Sequence, residues 1–468
     1  MTTSNAAATG HRRPPAPQRG ALRLGLADLL GPAAIASVVA VVFLWIRNQG
    51  LLSLTTVDTA VGSLGLLTGL VSADLMLLQV VLLARIPWVE RSWGHDLLTR
   101  RHRWIGFASF WLMMAHVVLF AVQRISRDPA SALDELSKLF ITDPWMLFAT
   151  IGTIAVIMVV VTSVRAARRR LRYESWHLLH LYAYLGVAFT FPHMLEDGAD
   201  FHEAWARTYW WTLYLFAAGV TVLYRLGWPA WRSLYHRLRV AEVRPEGPGI
   251  FSVTMRGHRL DRLRTESGQF FIWRFLDGPG WSRGNPYTLS AAPTADRLRI
   301  TVKIAGDGSE RQARLKPGTR VLIEGPYGTL TARQRRHPRM LLIAAGIGVT
   351  PMRALLEDTA YAPGEAVLLY RYTEAEHAVF ADELRQIAGR RGVELHFMPG
   401  PRRADDSWLP AGVGTHADDA QVLKELVPDV ANRDVYVCGP PAWLSAVRKA
   451  TRSAGVHRDS LHTEEFAW

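Results

Sequence analysis

Six apolar runs dominate the first half of the chain: Leu29 to Ile46, Ala60 to Ala84, Trp104 to Gln123, Pro144 to Val164, Trp176 to Leu195 and Thr208 to Leu226. A hydrocarbon core of ~30 Å takes about 20 helical residues to cross, and each run is near that length. The half that contains them therefore reads as a six-helix transmembrane domain over residues 26–230. The first run follows Arg12, Arg13, Arg19 and Arg23, as the h-region of a signal peptide would. At ~18 apolar residues it is too long for one, so it reads as an uncleaved first span. Residues 1–25, rich in Ala, Pro, Thr and Arg, read as a disordered cytoplasmic tail.

Arginine placement orients the bundle. Arg85, Arg91, Arg100, Arg101 and Arg103 lie between the second and third runs, and Arg165, Arg168, Arg169, Arg170 and Arg172 between the fourth and fifth. Glu196, Asp197, Asp200 and Glu203 follow the fifth run, with Arg207. By the positive-inside rule the arginine loops are cytoplasmic, and six crossings return the chain to the cytoplasm near Trp228. The formal net charge of +13 thereby has a topological cause, which argues against nucleic acid as a partner and for the lipid bilayer. A mean hydropathy of +0.06 averages two unlike halves. Cys438 is the only cysteine, so disulfides, cysteine zinc sites and thiolate-held iron–sulfur clusters are excluded, and any metal must use nitrogen or oxygen ligands.

Beyond about Arg232 the pattern changes to short alternating strands, as at Leu238 to Val243, Phe251 to Met255, Arg297 to Ile304 and Arg320 to Glu324. Buried parallel strands alternate with helices thereafter, at Met340 to Ile343, Ala366 to Tyr370, Glu394 to Phe397 and Asp434 to Val437. This predicts a multi-domain protein in which the helical domain is followed by a small antiparallel β-barrel (residues 235–335) and a doubly wound α/β domain (residues 336–468).

Histidines inside spans need a reason. His102 and His116 lie on span three, a rise of about 21 Å apart and about 40° from whole turns, so they share a face near opposite ends. His180 and His193 on span five are about 19 Å apart, but an ideal helix leaves them about 140° out of phase. Pro192 bends the helix just before His193 and can return it to the shared face. Pairing His102 with His180 and His116 with His193 predicts two bis-histidine haems stacked across the bilayer. His177, one turn before His180, remains an alternative inner ligand. Asp74 in span two is either a functional acid or a protonated group bonded to a neighbouring helix.

In the barrel, Asn285, Pro286, Tyr287, Thr288 and Ser290 form a strand that sets an aromatic ring and hydroxyls where an isoalloxazine could stack and hydrogen-bond. Lys303, Gly306, Gly308 and Ser309 add a cation and a helix start for a pyrophosphate. Gly346, Gly348, Thr350 and Pro351 follow a strand and open a helix, and Cys438, Gly439 and Pro440 end the last parallel strand. Dinucleotides collect at such carboxyl ends. Arg371, after the second parallel strand, either meets an adenosine 2′-phosphate or forms a surface ion pair. Cys438 either shapes hydride transfer beside the nicotinamide or is a small buried residue.

From Leu29 to Trp468 the chain resembles the ferric reductase and NADPH oxidase flavocytochromes. The resemblance rests on the histidine pairs, Asn285-Pro286-Tyr287-Thr288, Gly325-Pro326-Tyr327-Gly328, Gly346 to Pro351 and Cys438-Gly439-Pro440. It implies a ferredoxin-reductase-type FAD barrel, an NADPH site and two b-type haems, with His180 rather than His177 as inner ligand. Trp468, then Phe466, is implied as the terminal ring over the flavin. Asn285 stands where relatives carry Arg or His, so Arg283 or Lys303 is expected to supply phosphate charge. Phe120 replaces a histidine found in oxidase members, which weakens oxygen as the dedicated acceptor, and there is no acidic twelve-residue calcium loop.

The function expected is a multi-pass cell-membrane oxidoreductase. Electrons pass from cytoplasmic NADPH through FAD and two haems to an outer acceptor, ferric chelate or oxygen. The alternatives are an external partner protein as acceptor, or a haem-binding sensor or carrier. The sequence does not address the oligomeric state.

Overall fold

The computed structural model describes residues 29–164, 173–197, 203–414 and 417–465. It divides into two compact units, Leu24–Gly227 and Trp228–Trp468. The expectations for the N-terminal tail, for Arg165 to Arg172, for Asp200 and for Phe466 and Trp468 fall outside the described residues.

The first unit is helical: α1 (Leu30–Arg47), α2 (Val57–Leu82), α3 (Pro87–Trp93), α4 (His95–Arg127), α5 (Ala132–Thr142), α6 (Pro144–Ser163), α7 (Tyr173–Asp197) and α8 (Ala204–Val222). Local chemistry sets several starts. Thr56 and Thr59 cap α2 reciprocally. Asp143 accepts from the amides of Trp145 and Met146, with Pro144 at the first helical position of α6, where a missing N–H costs nothing.

Among the described residues, α1, α2, α4, α6 and α7 are long and apolar enough to cross a bilayer. The sixth expected span is a helix, α8, but it is not among those five. Thr208, Tyr209, Trp210, Trp211, Thr212 and Tyr214 dilute its hydropathy, although Trp210 is fully buried against α1 and α2. The third span is longer than expected: α4 has 33 residues, because the flanking Arg-rich turns continue the helix instead of ending it.

Two pairings organise this unit, α2 along α4 and α6 along α7. The second depends on glycine. A Cβ on Gly152 would stand 2.8 Å from the Gly186 carbonyl, and one on Gly186 would stand 2.7 Å from Val156 Cγ2. Small residues let apolar helices approach where no hydrophobic drive exists in lipid.

The second unit starts with α9 (Trp228–His236) and continues through two three-stranded antiparallel sheets. One has the order β1 (Arg239–Gly247), β2 (Ile250–Arg256), β5 (Arg297–Lys303); the other has β4 (Asn285–Thr288), β3 (Phe270–Phe275), β6 (Val321–Tyr327). They share a core of Val253, Met255, Phe271, Trp273, Leu289 and Ile300. Helix α10 (Asp307–Gln312) lies between β5 and β6.

The chain ends in a five-stranded parallel sheet ordered β11 (Leu461–Glu465), β10 (Asp434–Gly439), β7 (Met340–Ala345), β8 (Ala366–Tyr372), β9 (Glu394–Pro399). Helices α11 (Val349–Asp358), α12 (Ala381–Arg391), α13 (Asp419–Leu426) and α14 (Pro441–Ser453) connect its strands. Every residue of β7 and β10 is buried, which is why these strands read as continuous apolar runs instead of alternating ones.

Candidate functional site

The four span histidines meet in two levels. His102 on α4 and His180 on α7 have ring centroids 6.1 Å apart, and His116 and His193 on the same helices stand at 6.5 Å. Helix α7 stays continuous through Pro192, and both of its rings reach α4. Two imidazoles bound to one metal at about 2 Å each, with each ring centre roughly 1 Å further back, would stand about 6 Å apart. The spacing fits a shared iron at each level.

The ring orientation fits as well. His102 donates Nδ1–H to the Gln79 carbonyl at 3.2 Å, and His116 donates Nδ1–H to the Gly65 carbonyl at 2.8 Å. The Ser163 hydroxyl lies 3.3 Å from Nδ1 of His180 and also accepts from Trp176 Nε1. A ligating imidazole is oriented by a bond at its other nitrogen, so these contacts leave Nε2 free for a metal. The close approach at the outer level needs Gly69, where a Cβ would lie 2.4 Å from His116 Nδ1. His180 is the partly buried ring that faces His102, whereas His177 is exposed.

Sequence reasoning missed Gln79, Gly65 and Ser163, since two of them act through backbone carbonyls that any residue carries. Asp74 is explained differently: Ser37 of α1 donates to its Oδ1 at 2.6 Å, and Ser37 Oγ lies 3.0 Å from the Tyr209 hydroxyl of α8. Asp74 is thus bonded to the neighbouring helix α1 through Ser37, which in turn contacts α8, in line with the neighbouring-helix reading.

In the reductase unit the two glycine motifs come together. A Cβ on Gly348 would lie 2.3 Å from the Cys438 carbonyl oxygen and 3.1 Å from the Gly439 nitrogen. Gly346 has φ +55 and open space around its Cβ position. Thr350 is buried and donates to the Ile347 carbonyl at 2.9 Å, and Pro351 is buried in the first turn of α11. The result is a tight strand-to-helix turn beside Gly439 and Pro440, with its backbone open at the carboxyl end of the sheet. Cys438 is fully buried, and burial, helped by the Glu464 carboxylate, pushes its thiol up. Burial of this kind favours the neutral thiol over the thiolate.

Trp273 positions the flavin-type strand by donating Nε1 to the Tyr287 carbonyl at 2.9 Å. Burial pushes the Tyr287 hydroxyl up to about 12, so it is neutral across the physiological range. Thr288 and Ser290 are buried, and Ser290 Oγ accepts from Thr301 at 2.7 Å. Asn285 donates to the Arg283 carbonyl at 3.2 Å, while Pro286, Arg283 and Lys303 are exposed. The turn expected to cradle a pyrophosphate is partly used by the chain itself: Ser309 Oγ accepts from the Ala305 and Gly306 amides at 2.8 and 3.2 Å, and the helix that Gly306 and Gly308 open has only six residues.

Arg371 is half-buried and donates Nη2 to the Gly400 carbonyl at 3.1 Å, and among the described residues its Nε has no hydrogen-bond partner. Burial and the neighbouring Arg402 lower its pKa. Among the described residues neither guanidinium pairs with a carboxylate, and two neighbouring guanidiniums suit a phosphate. Arg371→Ala is expected to raise the KM for NADPH roughly 10- to 100-fold, as one charge-assisted bond to phosphate is lost. The KM for NADH should barely move. Steady-state kinetics with both nucleotides check this.

Apolar helices of membrane-crossing length, joined to paired antiparallel sheets and a parallel nucleotide-binding sheet, define a membrane oxidoreductase with an FAD/NAD(P)H-binding reductase module. Residues 68–191 match the ferric reductase like transmembrane component, and residues 342–449 match the oxidoreductase NAD-binding domain. The chain has the fused ferric reductase and flavocytochrome architecture.

The second half of the chain is similar to NAD(P)H-dependent oxidoreductases. The ferredoxin reductase component of 3-ketosteroid-9-alpha-monooxygenase from Mycolicibacterium smegmatis is 32% identical over 211 residues, 44% of this chain and 57% of that protein. A flavohemoprotein of Chromobacterium violaceum is 31% identical over 265 residues, 51% of this chain and 61% of its own. The chain thus spans about three fifths of the length of these curated relatives. The flavohem-like FAD/NAD binding domain of nitric oxide dioxygenase from Vibrio cholerae O1 biovar El Tor aligns with 49% of this chain and 98% of its own, at 25% identity and a TM-score of 0.41.

Proposed function

We propose that this protein is a transmembrane electron-transfer enzyme that oxidises NADPH on the cytoplasmic side and reduces an acceptor on the outer side. The observation that carries the reading is the pair of histidine levels, at 6.1 and 6.5 Å between ring centroids, on the two helices α4 and α7. His102 with His180, and His116 with His193, would hold two b-type haems. Bound FAD supplies the conversion of a hydride into single electrons, and the haems supply one-electron relay sites across the bilayer.

The chain's own residues do the remaining work. The Gly346 to Thr350 turn holds the dinucleotide phosphates, Arg371 takes the 2′-phosphate, and Cys438, Gly439 and Pro440 border the nicotinamide. Tyr287 would stack on the isoalloxazine, and Thr288 with Ser290 would form its polar edge. Gln79, Gly65 and Ser163 fix the imidazole planes. The arginine loops place the reductase unit in the cytoplasm. The Phe120 and His116 ring centroids stand 5.0 Å apart, edge to face, and an apolar ring at this position argues against oxygen as the dedicated acceptor.

Purified full-length protein in detergent tests this. NADPH should reduce a bis-histidine haem spectrum, and turnover should continue when ferric chelate is added, with little superoxide at matched NADPH consumption. Absence of haem absorbance after haem-replete expression would sink the electron-wire reading and its haem-carrier alternative together.

A further inference from the structure

Glu383, the third residue of α12, gathers arginines from both parts of the reductase unit. Arg299 of β5 donates to both of its oxygens at 3.0 Å, Arg353 of α11 donates Nε to Oε2 at 2.7 Å, and Arg244 of β1 donates Nη2 to Oε1 at 3.0 Å. The first two of these also hold a single backbone atom. Arg299 and Arg353 donate to the Ser290 carbonyl at 2.9 and 3.2 Å, and Ser290 closes the flavin-type motif that runs from Asn285. Glu357 binds the same stretch from α11, accepting from the Ala292 amide at 2.8 Å.

Phe380 lies beneath this cluster, 5% exposed, with φ +61. The Arg299 guanidinium carbon stands 4.7 Å from its ring centroid. A bulky aromatic residue is rarely found in left-handed backbone, and such outliers persist only where surroundings over-determine them. Here the backbone is held so that one ring fills the underside of the arginine layer while Glu383 closes it from the helix start. Burial works against the charged carboxyl, but Arg299 and Arg353 more than offset it and bring its pKa from 4.5 to about 2. The clamp is therefore fully charged above about pH 4.5 and fails as pH falls toward 2.

We propose that Glu383 is a positioning residue for hydride transfer: by locking Arg299 and Arg353 onto the Ser290 carbonyl, it fixes the flavin-holding strand against the helix whose glycine turn holds the nicotinamide dinucleotide. This rests on the reading that NADPH reduces FAD in this module. In the step served, the C4–H bond of the dihydronicotinamide breaks, its hydride goes to N5 of the flavin, a solvent proton goes to N1, and NADP⁺ leaves. Such transfer needs reacting atoms about 3–3.5 Å apart, and a displacement of about 1 Å costs roughly 100-fold. Hinging the strand on one clamped carbonyl couples the two binding sites without touching either nucleotide.

The test uses the full-length protein in detergent and anaerobic stopped-flow reduction of the flavin by NADPH, with and without deuterium at C4. Glu383→Gln is expected to slow flavin reduction roughly 30- to 100-fold, with NADPH Kd within about threefold, FAD content unchanged and a larger deuterium isotope effect. Glu383→Asp should recover part of the rate, and Asp382→Asn, an exposed neighbour on the same turn, should match wild type. Arg299→Lys keeps the charge, loses the two-pronged contact and should reproduce the slow step, which covers the case in which Glu383→Gln does not fold. An unchanged rate, or a rate that falls only in proportion to lost FAD, overturns the proposal while the functional reading stands. If NADPH fails to reduce the wild-type flavin, both fall.

Discussion

The His180→Ala protein is expected to keep one haem of two, the outer one, and to lose NADPH-driven reduction of external acceptors by at least roughly 100-fold, because a one-electron path with a missing relay has no substitute inside the bilayer. Flavin reduction by NADPH should continue at the wild-type rate, since the reductase motifs lie in the other unit. His177→Ala should retain both haems. Pyridine haemochrome stoichiometry and reduced-minus-oxidised spectra read the outcome. Loss of the inner haem in His177→Ala with retention in His180→Ala would reverse the ligand assignment. Ser163→Ala is the milder companion: the haem stays, but one bond to the His180 ring goes, and the inner midpoint potential should shift with the stoichiometry intact.

Gly348→Val is expected to separate the two halves from the other side. Its first added carbon would stand 2.3 Å from the Cys438 carbonyl oxygen and 2.7 Å from the carbonyl carbon. Those atoms belong to strand β10, held between β11 and β7, and cannot yield as a flexible side chain would. Overpacking of this kind costs about 1–3 kcal/mol, and the turn must move away from the carboxyl end of the sheet. NADPH-dependent flavin reduction should fall by roughly 100-fold or more, while dithionite reduces the haems as in wild type. Gly346→Ala provides the contrast. Open space surrounds its Cβ position, but φ +55 costs an alanine about 1–2 kcal/mol, so a several-fold loss is expected. Equal activity in Gly348→Val and wild type would mean that this turn does not hold the nucleotide.

Five of the six expected spans and the parallel strands were legible because both signals are local. An apolar run of membrane length and a buried strand after a Gly/Pro turn are set by consecutive residues, and β7, β8, β9 and β10 begin at the residues where the runs begin. Strands β3 and β11 and the helices α3 and α5 gave no such run. The mixed Trp/Arg pattern of Phe270–Phe275 reads as a strand only once Trp273 is known to be buried between β4 and β6. The extra length of α4 was hidden because arginines look like a boundary in hydropathy yet are good helix formers.

Histidine spacing along single helices is a matter of rise and rotation, so the two levels followed from residue order, and the lone cysteine left any metal to nitrogen or oxygen ligands. The glycine turns and the order of the domains followed in the same way. The pairing of His102 with His180 and of His116 with His193 was expected from sequence; the ring separations of 6.1 and 6.5 Å, reached with α7 continuous through Pro192, belong to the tertiary structure. It also decided the partners at Nδ1, since a backbone carbonyl carries no mark of its neighbours in its own sequence. The convergence of Arg244, Arg299 and Arg353 on Glu383, with two of the arginines also on the Ser290 carbonyl just beyond β4, belongs there too. Those charges lie on four separate elements, and only folding brings them within bonding distance.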